Sequence, residues 1–406
     1  MIKTVNTYKN ASWILYSFVL FNVISYLYVI FNGTYNGDFL NIVPKLSHYR
    51  LFLNLLLTLF PFFVLYSIYK HYIKVDNNYK VSIPTNSFGL FLLLVIVFQI
   101  VVTILYGVGV LGQETYEAPI VLKLFIQVFN RFDVIFGVSI YSIIVSNKNK
   151  FQYILWILVF ILSLYRTSFM IFIIIGFMII FIYFGSISAF LKKHLLITIV
   201  FLIVSPIVVS SLYNVRKQLR QNSGKVEIKF ENHETNTFSK VIFGQLVGRL
   251  SSYSNSAIIQ ERKGKIRQLT SSFSPIQYQK EALSAVYGKI INEKDILYRN
   301  LLYESEGNHS RTYSAMNGIQ GTLLISSYQS YPIFFFNLIT ILLIVIFTFE
   351  LVSLFHNKNV YNIIFLFFCF TLMSGNADAY MKNFMSVFLY LILFLFLNLS
   401  KLPNSN

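Results

Sequence analysis

Residues Ser163–Met170 read "SLYRTSFM", a short polar interruption inside an apolar stretch that runs from Phe151 to Gly185. A single helix over that whole stretch would be roughly 50 Å long, at about 1.5 Å per residue. The hydrocarbon core of a bilayer is only about 30 Å thick, so one helix would have to tilt strongly to fit. The stretch therefore predicts two short membrane spans, 151–165 and 168–187, with Arg166 in the turn between them.

The composition indicates the same class of protein. Of 406 residues, 56% are hydrophobic and 12% are charged, whereas a soluble domain is about 25% charged. Several apolar runs exceed the length of about 18 residues that is typical of a transmembrane helix. The first of them is long for a signal peptide and has no small-residue cleavage site, so we expect it to stay in the protein as a membrane helix. The sequence predicts an all-α polytopic membrane protein.

Some kinds of site are excluded by the residues present. Cys369 is the single cysteine, which rules out an intrachain disulfide and a cysteine-clustered metal site. The six histidines are scattered, and no glycine-rich phosphate loop of a nucleotide-dependent enzyme occurs. We therefore expect neither a built-in metal nor an organic cofactor, and no nucleic-acid partner.

The distribution of lysine sets the predicted topology. Apolar segments lie at 11–32, 51–69, 88–112, 119–146, 151–165, 168–187, 195–213, 332–354, 361–374 and 384–400. With about ten spans and a cytoplasmic N-terminus, most loop lysines fall on the cytoplasmic side, as the positive-inside rule requires. With nine spans, Lys192, Lys193, Lys358 and Lys401 would move outside. We therefore predict that both termini are cytoplasmic and that Arg166 lies at the outer membrane surface.

The same topology divides the chain into three parts. Residues 1–213 would hold seven membrane helices, 214–331 a large and mostly helical extracytoplasmic segment, and 332–406 three more helices and a short cytoplasmic tail. Within the middle segment, one helical face carries apolar residues and the opposite face polar ones; the apolar residues are Phe243, Leu246, Val247, Leu250, Tyr253 and Ile258, and the polar ones are Gln245, Arg249, Ser252 and Ser256. This pattern predicts an amphipathic helix on the bilayer or over a cavity.

Candidate site residues occur in the fourth span and in its surroundings. Lys123, Gln127, Asn130 and Arg131 form a polar stripe at helical spacing, and Asp133 points elsewhere and needs a partner on another helix. Charged groups inside a bilayer usually face a cavity or a partner. Arg131 and Asp133 are thus either functional or a structural ion pair between two helices.

Further candidates lie in the predicted outer regions. Arg166 is either an anion clamp or an interfacial arginine that reaches the lipid headgroups. Among the arginines of the middle segment, most read as solvated charges, and Arg216, Arg220 and Arg249 are the best placed for a ligand. In "GNHSRTYSAMNGIQGTLL", His309 is a candidate general base, and Gly318 and Gly321 allow close approach of a ligand or of another helix.

Two of these motifs are similar to those of a known family. "SLYRTSFMIFIIIGF" resembles the Ser-Arg-Thr turn of Wzy-type O-antigen and oligosaccharide repeat-unit polymerases, and "HSRTYSAMNGIQG" resembles the His…Gly-x-x-Gly element of the related O-antigen ligases. The spacing from His309 to Gly318 is shorter than in the ligase pattern, which favours a polymerase. The number of spans and the late outer segment also match this family.

The resemblance implies a reaction and its partners. Such polymerases work at the outer face of the bacterial cytoplasmic (inner) membrane on oligosaccharides carried by undecaprenyl pyrophosphate, which is both donor and acceptor. A chain-length regulator and a flippase would be further partners. On this hypothesis Arg166, Arg216, Arg220, Arg249 and Arg311 surround the pyrophosphate, and Arg131 lies deeper. The candidate bases are His309, Asp133 and Asp378.

Several alternatives stay open at this point. An O-antigen ligase has the same architecture, and a glycosyltransferase that uses a polyprenyl-phosphate sugar would account for Asp38 in the first outer loop. A flippase would be expected to have more, evenly spaced spans and short loops, and a transporter built from inverted halves would show an internal repeat. A structural or sensory membrane protein is the remaining class.

Overall fold

The computed structural model describes residues 7–39, 42–74, 81–109, 118–145, 150–166, 169–196, 247–248, 250–287, 296–307, 315–355 and 357–399. Within these ranges the regular structure is helical, and the one extended pairing is a bridge between Val81 and Phe355. The predicted all-α class is confirmed for this part of the chain.

The helices fall into two groups separated by 197–246. The first group is α1 Thr7–Asn32, α2 His48–Tyr72, α3 Thr85–Tyr106, α4 Ile120–Phe129, α5 Val134–Ile144, α6 Phe151–Tyr165, α7 Phe169–Ile179, which a π-turn extends over Ile180–Phe184, and α8 Ile187–Lys193. The second group is α9 Tyr253–Glu261, α10 Lys263–Thr270, α11 Gln277–Tyr287, α12 Leu301–Glu304, α13 Gly318–Gln329, α14 Tyr331–Ser353, α15 Asn359–Ser374 and α16 Ala377–Leu399.

The long apolar helices make the chain a multi-pass membrane protein. Among the described residues, α1, α2, α3, α14 and α16 are long and apolar enough to cross a bilayer. A sixth crossing is formed if α7 and α8 count together, although they are bent by 77°. The other predicted spans that the structure describes are the shorter apolar helices α4, α5, α6 and α15, so helix length alone gives fewer crossings than the ten apolar segments predict.

The stretch from Phe151 onward is a helical hairpin. Arg166 ends α6, and α7 begins at Phe169. The rings of Phe160 and Phe172 lie 5.1 Å apart, and those of Tyr153 and Tyr183 stack at 5.7 Å. Phe160, close to the turn on α6, pairs with Phe172, close to the turn on the other side, and the more distant Tyr153 pairs with the more distant Tyr183. The two helices are therefore antiparallel. The predicted turn is confirmed, and the alternative of one long helix is wrong.

The predicted fourth span, 119–146, is interrupted in its middle. α4 ends at Phe129, and the side chain of Asp133 starts a new helix by accepting hydrogen bonds from the backbone N–H groups of Ile135 and Phe136, at 2.9 and 3.0 Å. The hydrogen bonds of the Asp133 side chain therefore stay within α5, and its partners from other helices are the charges of Arg166 and Lys382, which lie within electrostatic range. Short polar side chains favour this helix-starting position, since they satisfy free backbone donors.

Helix α9 is buried on all sides, which differs from the predicted amphipathic helix. Ser252 and Ser256, assigned to the polar face, are as buried as Tyr253 and Ile258 on the apolar face. The serines are accommodated because the surrounding helices present polar partners rather than lipid. In particular, Asn54 of α2 receives hydrogen bonds at its Oδ1 from three side chains; these are Ser256 at 3.1 Å, Gln260 at 2.7 Å and Gln320 at 2.9 Å.

The start of α9 lies deep within the bundle. The backbone N–H of Ser252 donates to Oδ1 of Asn22 at 3.3 Å, and Asn22 precedes the end of α1 by about three helical turns. The other end of α9 reaches the loop between α1 and α2, where Glu261 accepts a hydrogen bond from Tyr35 at 2.7 Å. The same loop also contacts the beginning of α9, where the backbone N–H of Asn36 donates to Oγ of Ser254 at 3.3 Å, so α9 packs along the loop as well as against α1.

Three helices of the second group begin at one point, which we call the junction and define by Ser252, Gly318 and Gly375. Gly318 and Gly375 have φ angles of +70° and +69°. A Cβ atom on Gly318 would lie 2.5 Å from Cβ of Ser252, and one on Gly375 would overlap the carbonyl oxygen of Gly318. The expected close approach at Gly318 is thus to other helices, and the starts of α9, α13 and α16 are held together there.

We predict that Gly375→Ala lowers the free energy of unfolding by more than about 2 kcal/mol, because alanine is disfavoured at positive φ and its methyl group meets the Gly318 backbone. A matched control is Gly264→Ala in α10, where a Cβ has no neighbour within 4 Å; it should stabilise by up to about 1 kcal/mol. Cys369, which is buried, provides the measurement, since a thiol-reactive fluorophore reports its exposure on heating. Equal midpoints for the two variants would contradict the packing.

Candidate functional site

Asp378 lies between two cations in the first turns of α16. Its Oδ2 is 3.0 Å from Nζ of Lys382, one helical turn further on, and 3.7 Å from Nη1 of Arg299. The side chain of Asp378 is 19% exposed, whereas that of Lys382 is 64% exposed. The carboxylate is therefore enclosed by protein on most sides, and the cluster opens where Lys382 projects.

Arg299 is held beside the junction by its neighbours in the chain. The Nδ2 of Asn317 donates to the carbonyl oxygen of Tyr298 at 2.8 Å, and the backbone N–H of Ala315 donates to the carbonyl oxygen of Arg299 at 2.9 Å. These bonds tie the turn that contains Arg299 to the start of α13. The Nε atom of Arg299 is buried and has no hydrogen-bond partner, so part of the guanidinium is available to a ligand.

A second carboxyl group, Glu281 of α11, lies in the same region and is almost fully buried. Its Oε1 accepts a hydrogen bond from the backbone N–H of Tyr298 at 2.9 Å, and the side chain lies within electrostatic range of both Arg299 and Asp378. Burial raises the pKa of Glu281 to about 8, because a charged carboxylate loses its hydration there. Glu281 is thus mainly protonated at neutral pH.

The arrangement combines groups of complementary chemistry. Asp378, paired with two cations, is a carboxylate that can accept a proton. Arg299 and Lys382 can donate hydrogen bonds to an anion, and the uncharged Glu281 adds no repulsion towards it. A carboxylate and a neutral carboxylic acid in one site are typical of enzymes that perform acid–base chemistry.

Arg166 contacts a different part of the bundle. Its Nη2 donates to Oδ1 of Asn130 at 2.8 Å and to Oε1 of Gln99 at 3.0 Å. Gly109 lies against the guanidinium, since a Cβ on this residue would be 3.0 Å from Nε. The side chain therefore turns into the protein, whereas we expected it at an open membrane surface.

Gln99 explains why this contact matters for the fold. Its Nε2 donates to the carbonyl oxygens of Phe129 and Phe132, at 2.9 and 3.0 Å. These carbonyls belong to the interruption between α4 and α5, where helical partners are lost, and membranes tolerate such breaks only if protein groups satisfy them. Arg166 thus orients the amide that stabilises the broken span.

The predicted site residues are distributed as follows. Asp378 lies in the charged cluster, Asp133 starts α5, and Arg131 is partly buried in the interruption before it. Asp133 is within electrostatic range of both Arg166 and Lys382, so the two regions are neighbours. The remaining predicted residues lie outside the described ranges; they are Arg216, Arg220, Arg249, His309 and Arg311.

Three residues of this region, Arg299, Lys382 and Glu281, do not stand out in the sequence. Arg299 reads as one of the solvated arginines, and Lys382 lies just before the apolar segment 384–400, whereas α16 begins at Ala377. The spacing of Asp378 and Lys382 would have indicated a helical ion pair. Glu281 shares a helical face with the buried residues Tyr278 and Ala282, and this periodicity was the available signal.

Comparisons of the chain with protein-family models, with curated proteins and with solved structures found no match. Within the described ranges, no three His, Cys, Asp or Glu side chains lie close enough together to hold a metal ion. The functional argument therefore depends on the geometry of the cluster and on the sequence motifs.

The raised pKa of Glu281 makes a prediction about pH. Between the unfolded pKa of about 4.3 and the folded pKa of about 8, the folded state retains a proton that the unfolded state releases. The stability of the native protein should therefore fall as pH rises through this window. Glu281→Gln keeps the acceptor for the backbone N–H of Tyr298 and cannot ionise. The free energy of unfolding of this variant should therefore exceed that of the native protein by an amount that grows from near zero at pH 4.5 to a few kcal/mol at pH 9.

The measurement is the thermal midpoint of both proteins at each pH, read from the fluorescence of the buried Trp156, because the reaction of a thiol probe would itself depend on pH. Parallel curves for the native protein and Glu281→Gln over this whole range would contradict a raised pKa.

Proposed function

We propose that this chain is a membrane glycosyltransferase that polymerises oligosaccharide repeat units carried on undecaprenyl pyrophosphate. The observation that carries the proposal is the cluster of Arg299, Asp378 and Lys382, which places one ionised carboxylate between two cations at the junction. The similarity of one sequence motif to repeat-unit polymerases, and of another to the related O-antigen ligases, supports the same conclusion.

The reaction assigns a role to each member of the cluster. A hydroxyl group of the acceptor repeat attacks the anomeric carbon of the donor, and the bond from that carbon to the diphosphate oxygen breaks. Asp378 accepts the proton of the attacking hydroxyl. Arg299 and Lys382 stabilise the negative charge on the departing diphosphate. The donor is already activated, so the transfer needs no nucleotide.

Other candidates keep supporting roles in this proposal. Asp133 and Arg131 lie further along the bundle, and Asp133 is used to start α5, so Asp378 replaces it as the leading carboxylate. His309, as a base, and Arg216, Arg220, Arg249 and Arg311, as ligands of the diphosphate, belong to the proposal on sequence grounds alone. Arg166 acts in it by fixing the broken fourth span rather than by a direct contact.

The proposal includes a location and a topology. Ten crossings, some made by short or broken helices, would place both termini in the cytoplasm and 214–331 on the outer side of the bacterial cytoplasmic membrane. The distribution of lysine favours this orientation. A flippase would then deliver the lipid-linked repeats to the same side, and a chain-length regulator would act on the growing polymer.

Deletion of the gene, followed by glycan electrophoresis, tests the function. We predict that the ladder of polymer is lost and that glycans of a single repeat remain on their acceptor. Complementation with Asp378→Asn should restore less than about 1% of polymer synthesis, the usual order of loss when an acid–base group is removed. Lys358→Ala, which removes an exposed lysine at the other end of the bundle, is the matched control and should restore the ladder.

Other patterns would identify the alternatives. Full-length polymer that accumulates on the lipid carrier would indicate a ligase, and repeats trapped on the cytoplasmic side would indicate a flippase. A normal ladder in the deletion strain would contradict any role in polymer synthesis.

A further inference from the structure

Helix α8 turns away from the membrane helix that precedes it. Its axis is bent by 77° from that of α7 and the π-turn. The bend is well defined, because Gly185 ends the π-turn at a φ of +73° and the side chain of Ser186 accepts a hydrogen bond from the backbone N–H of Ala189 at 3.2 Å. α8 is therefore a separate element at the end of α7 rather than a continuation of it.

The two faces of α8 have different surroundings. One face is partly buried and has the spacing i, i+3, i+4, i+7 of an amphipathic helix; it consists of Ile187, Phe190, Leu191 and His194. The rings of Phe184, Phe190 and His194 lie within 5.5 Å of one another, so this face packs against the π-turn. The opposite face is exposed and consists of Ser188, Ala189, Lys192 and Lys193.

The exposed face carries two positive charges without a local counter-charge. The sequence has no acidic residue between Asp133 and Glu227. Neither Lys192 nor Lys193 forms a salt bridge with any residue that the structure describes. The ammonium group of Lys193 lies 5.8 Å from the centroid of the Phe184 ring instead. Both charges are therefore available to an anion from outside the chain.

The position of α8 in the bundle places these charges at a membrane surface. Tyr183, just before the bend, stacks on Tyr153 near the start of α6, and Lys150 is exposed at that same start. α7 and its π-turn would span about 24 Å as a helix, which is most of the hydrocarbon core. Where α7 crosses the bilayer, a helix that turns off by 77° at its end runs nearly along the membrane plane.

We propose that α8 lies in the bilayer interface and that Lys192 and Lys193 bind the phosphate groups of anionic phospholipids. Leu195 and Leu196, which follow α8 and are 60% and 77% exposed, enter the acyl chains beside those headgroups. A basic face next to exposed apolar side chains matches an anionic lipid surface, which offers negative charge and hydrocarbon at adjacent depths.

The leaflet that α8 contacts depends on the proposed topology, which makes it the cytoplasmic one. The preference for anionic lipid depends only on the exposed face of α8, so it holds whether or not the chain polymerises oligosaccharides.

Energy transfer from a fluorophore on α8 to labelled lipids tests the site. Ala189→Cys provides the attachment point on the exposed face, since Cys369 is buried. The full-length chain is reconstituted in phosphatidylcholine vesicles that contain a small fraction of phosphatidylglycerol or of phosphatidylcholine with an acceptor in the acyl chain. Transfer to phosphatidylglycerol should exceed transfer to phosphatidylcholine, and high salt should reduce the excess because it screens exposed charges.

In the same background, Lys192→Gln/Lys193→Gln should lower the association constant of phosphatidylglycerol relative to phosphatidylcholine about 25-fold, since each lysine at an anionic surface contributes about fivefold. Lys192→Arg/Lys193→Arg keeps both charges and should retain the native preference. Lys263→Gln/Lys265→Gln is the matched control; it removes two exposed lysines from α10 and should also retain it.

Equal transfer to the two lipids with the native lysines, or a preference that Lys192→Gln/Lys193→Gln leaves unchanged, would overturn the proposal. An equal loss of preference in the α10 control would also overturn it, because the preference would then reflect the net charge of the chain and not a site on α8.

Discussion

Backbone groups inside a membrane need partners from the protein, and polar side chains of the long helices provide them here. Gln99 of α3 satisfies the carbonyls that are freed where the fourth span breaks, and Arg166 holds the amide of Gln99 in place. Asn54 of α2 donates from its Nδ2 to the carbonyl oxygen of Tyr253 in α9 at 3.1 Å, and its Oδ1 accepts from the side chains of Ser256 in α9 and Gln320 in α13. Without these bonds, short helices could not lie within the bundle, because unsatisfied polar groups are costly in an apolar medium.

This constraint connects the fold to the candidate site. Because α9 and α13 lie among α1, α2 and α15, their N-terminal ends meet within the bundle instead of ending at its surface. Gly318 and Gly375 let the backbones touch there, since no side chain fits between them. The charged cluster of Asp378, Arg299 and Lys382 lies next to that contact, so positive groups from several parts of the chain converge on one place.

The apolar pattern predicted helices well because length and hydrophobicity are properties of each segment alone. The turn at Arg166 followed from the length of one apolar run, and the paired rings on α6 and α7 confirm it. The burial of helix α9 does not follow from its sequence, for the opposite reason. Its serines give an amphipathic pattern, but Asn22, which accepts from the backbone N–H of Ser252, and Asn54, which accepts from the hydroxyl of Ser256, lie far away in the sequence, and only the fold brings them close.

The site was partly predictable for the same physical reasons. Asp378 stood out as an acidic residue next to an apolar span, and its pairing with Lys382 is a local feature that helical spacing could have revealed. Glu281 and Arg299 depend on contacts between α11, α16 and the turn before α12, which no local pattern contains. The raised pKa of Glu281 results from burial against those elements, so it could not be inferred from its neighbours in the chain.

Reconstitution of the purified chain in lipid vesicles tests the central claim most directly. The vesicles would contain a synthetic repeat unit linked to undecaprenyl pyrophosphate, without nucleotide, and the products would be resolved by electrophoresis. The account predicts a ladder of products that grows by whole repeats with the native chain and is absent with Asp378→Asn. Unchanged single repeats with the folded native chain, or an equal ladder with both proteins, would contradict it.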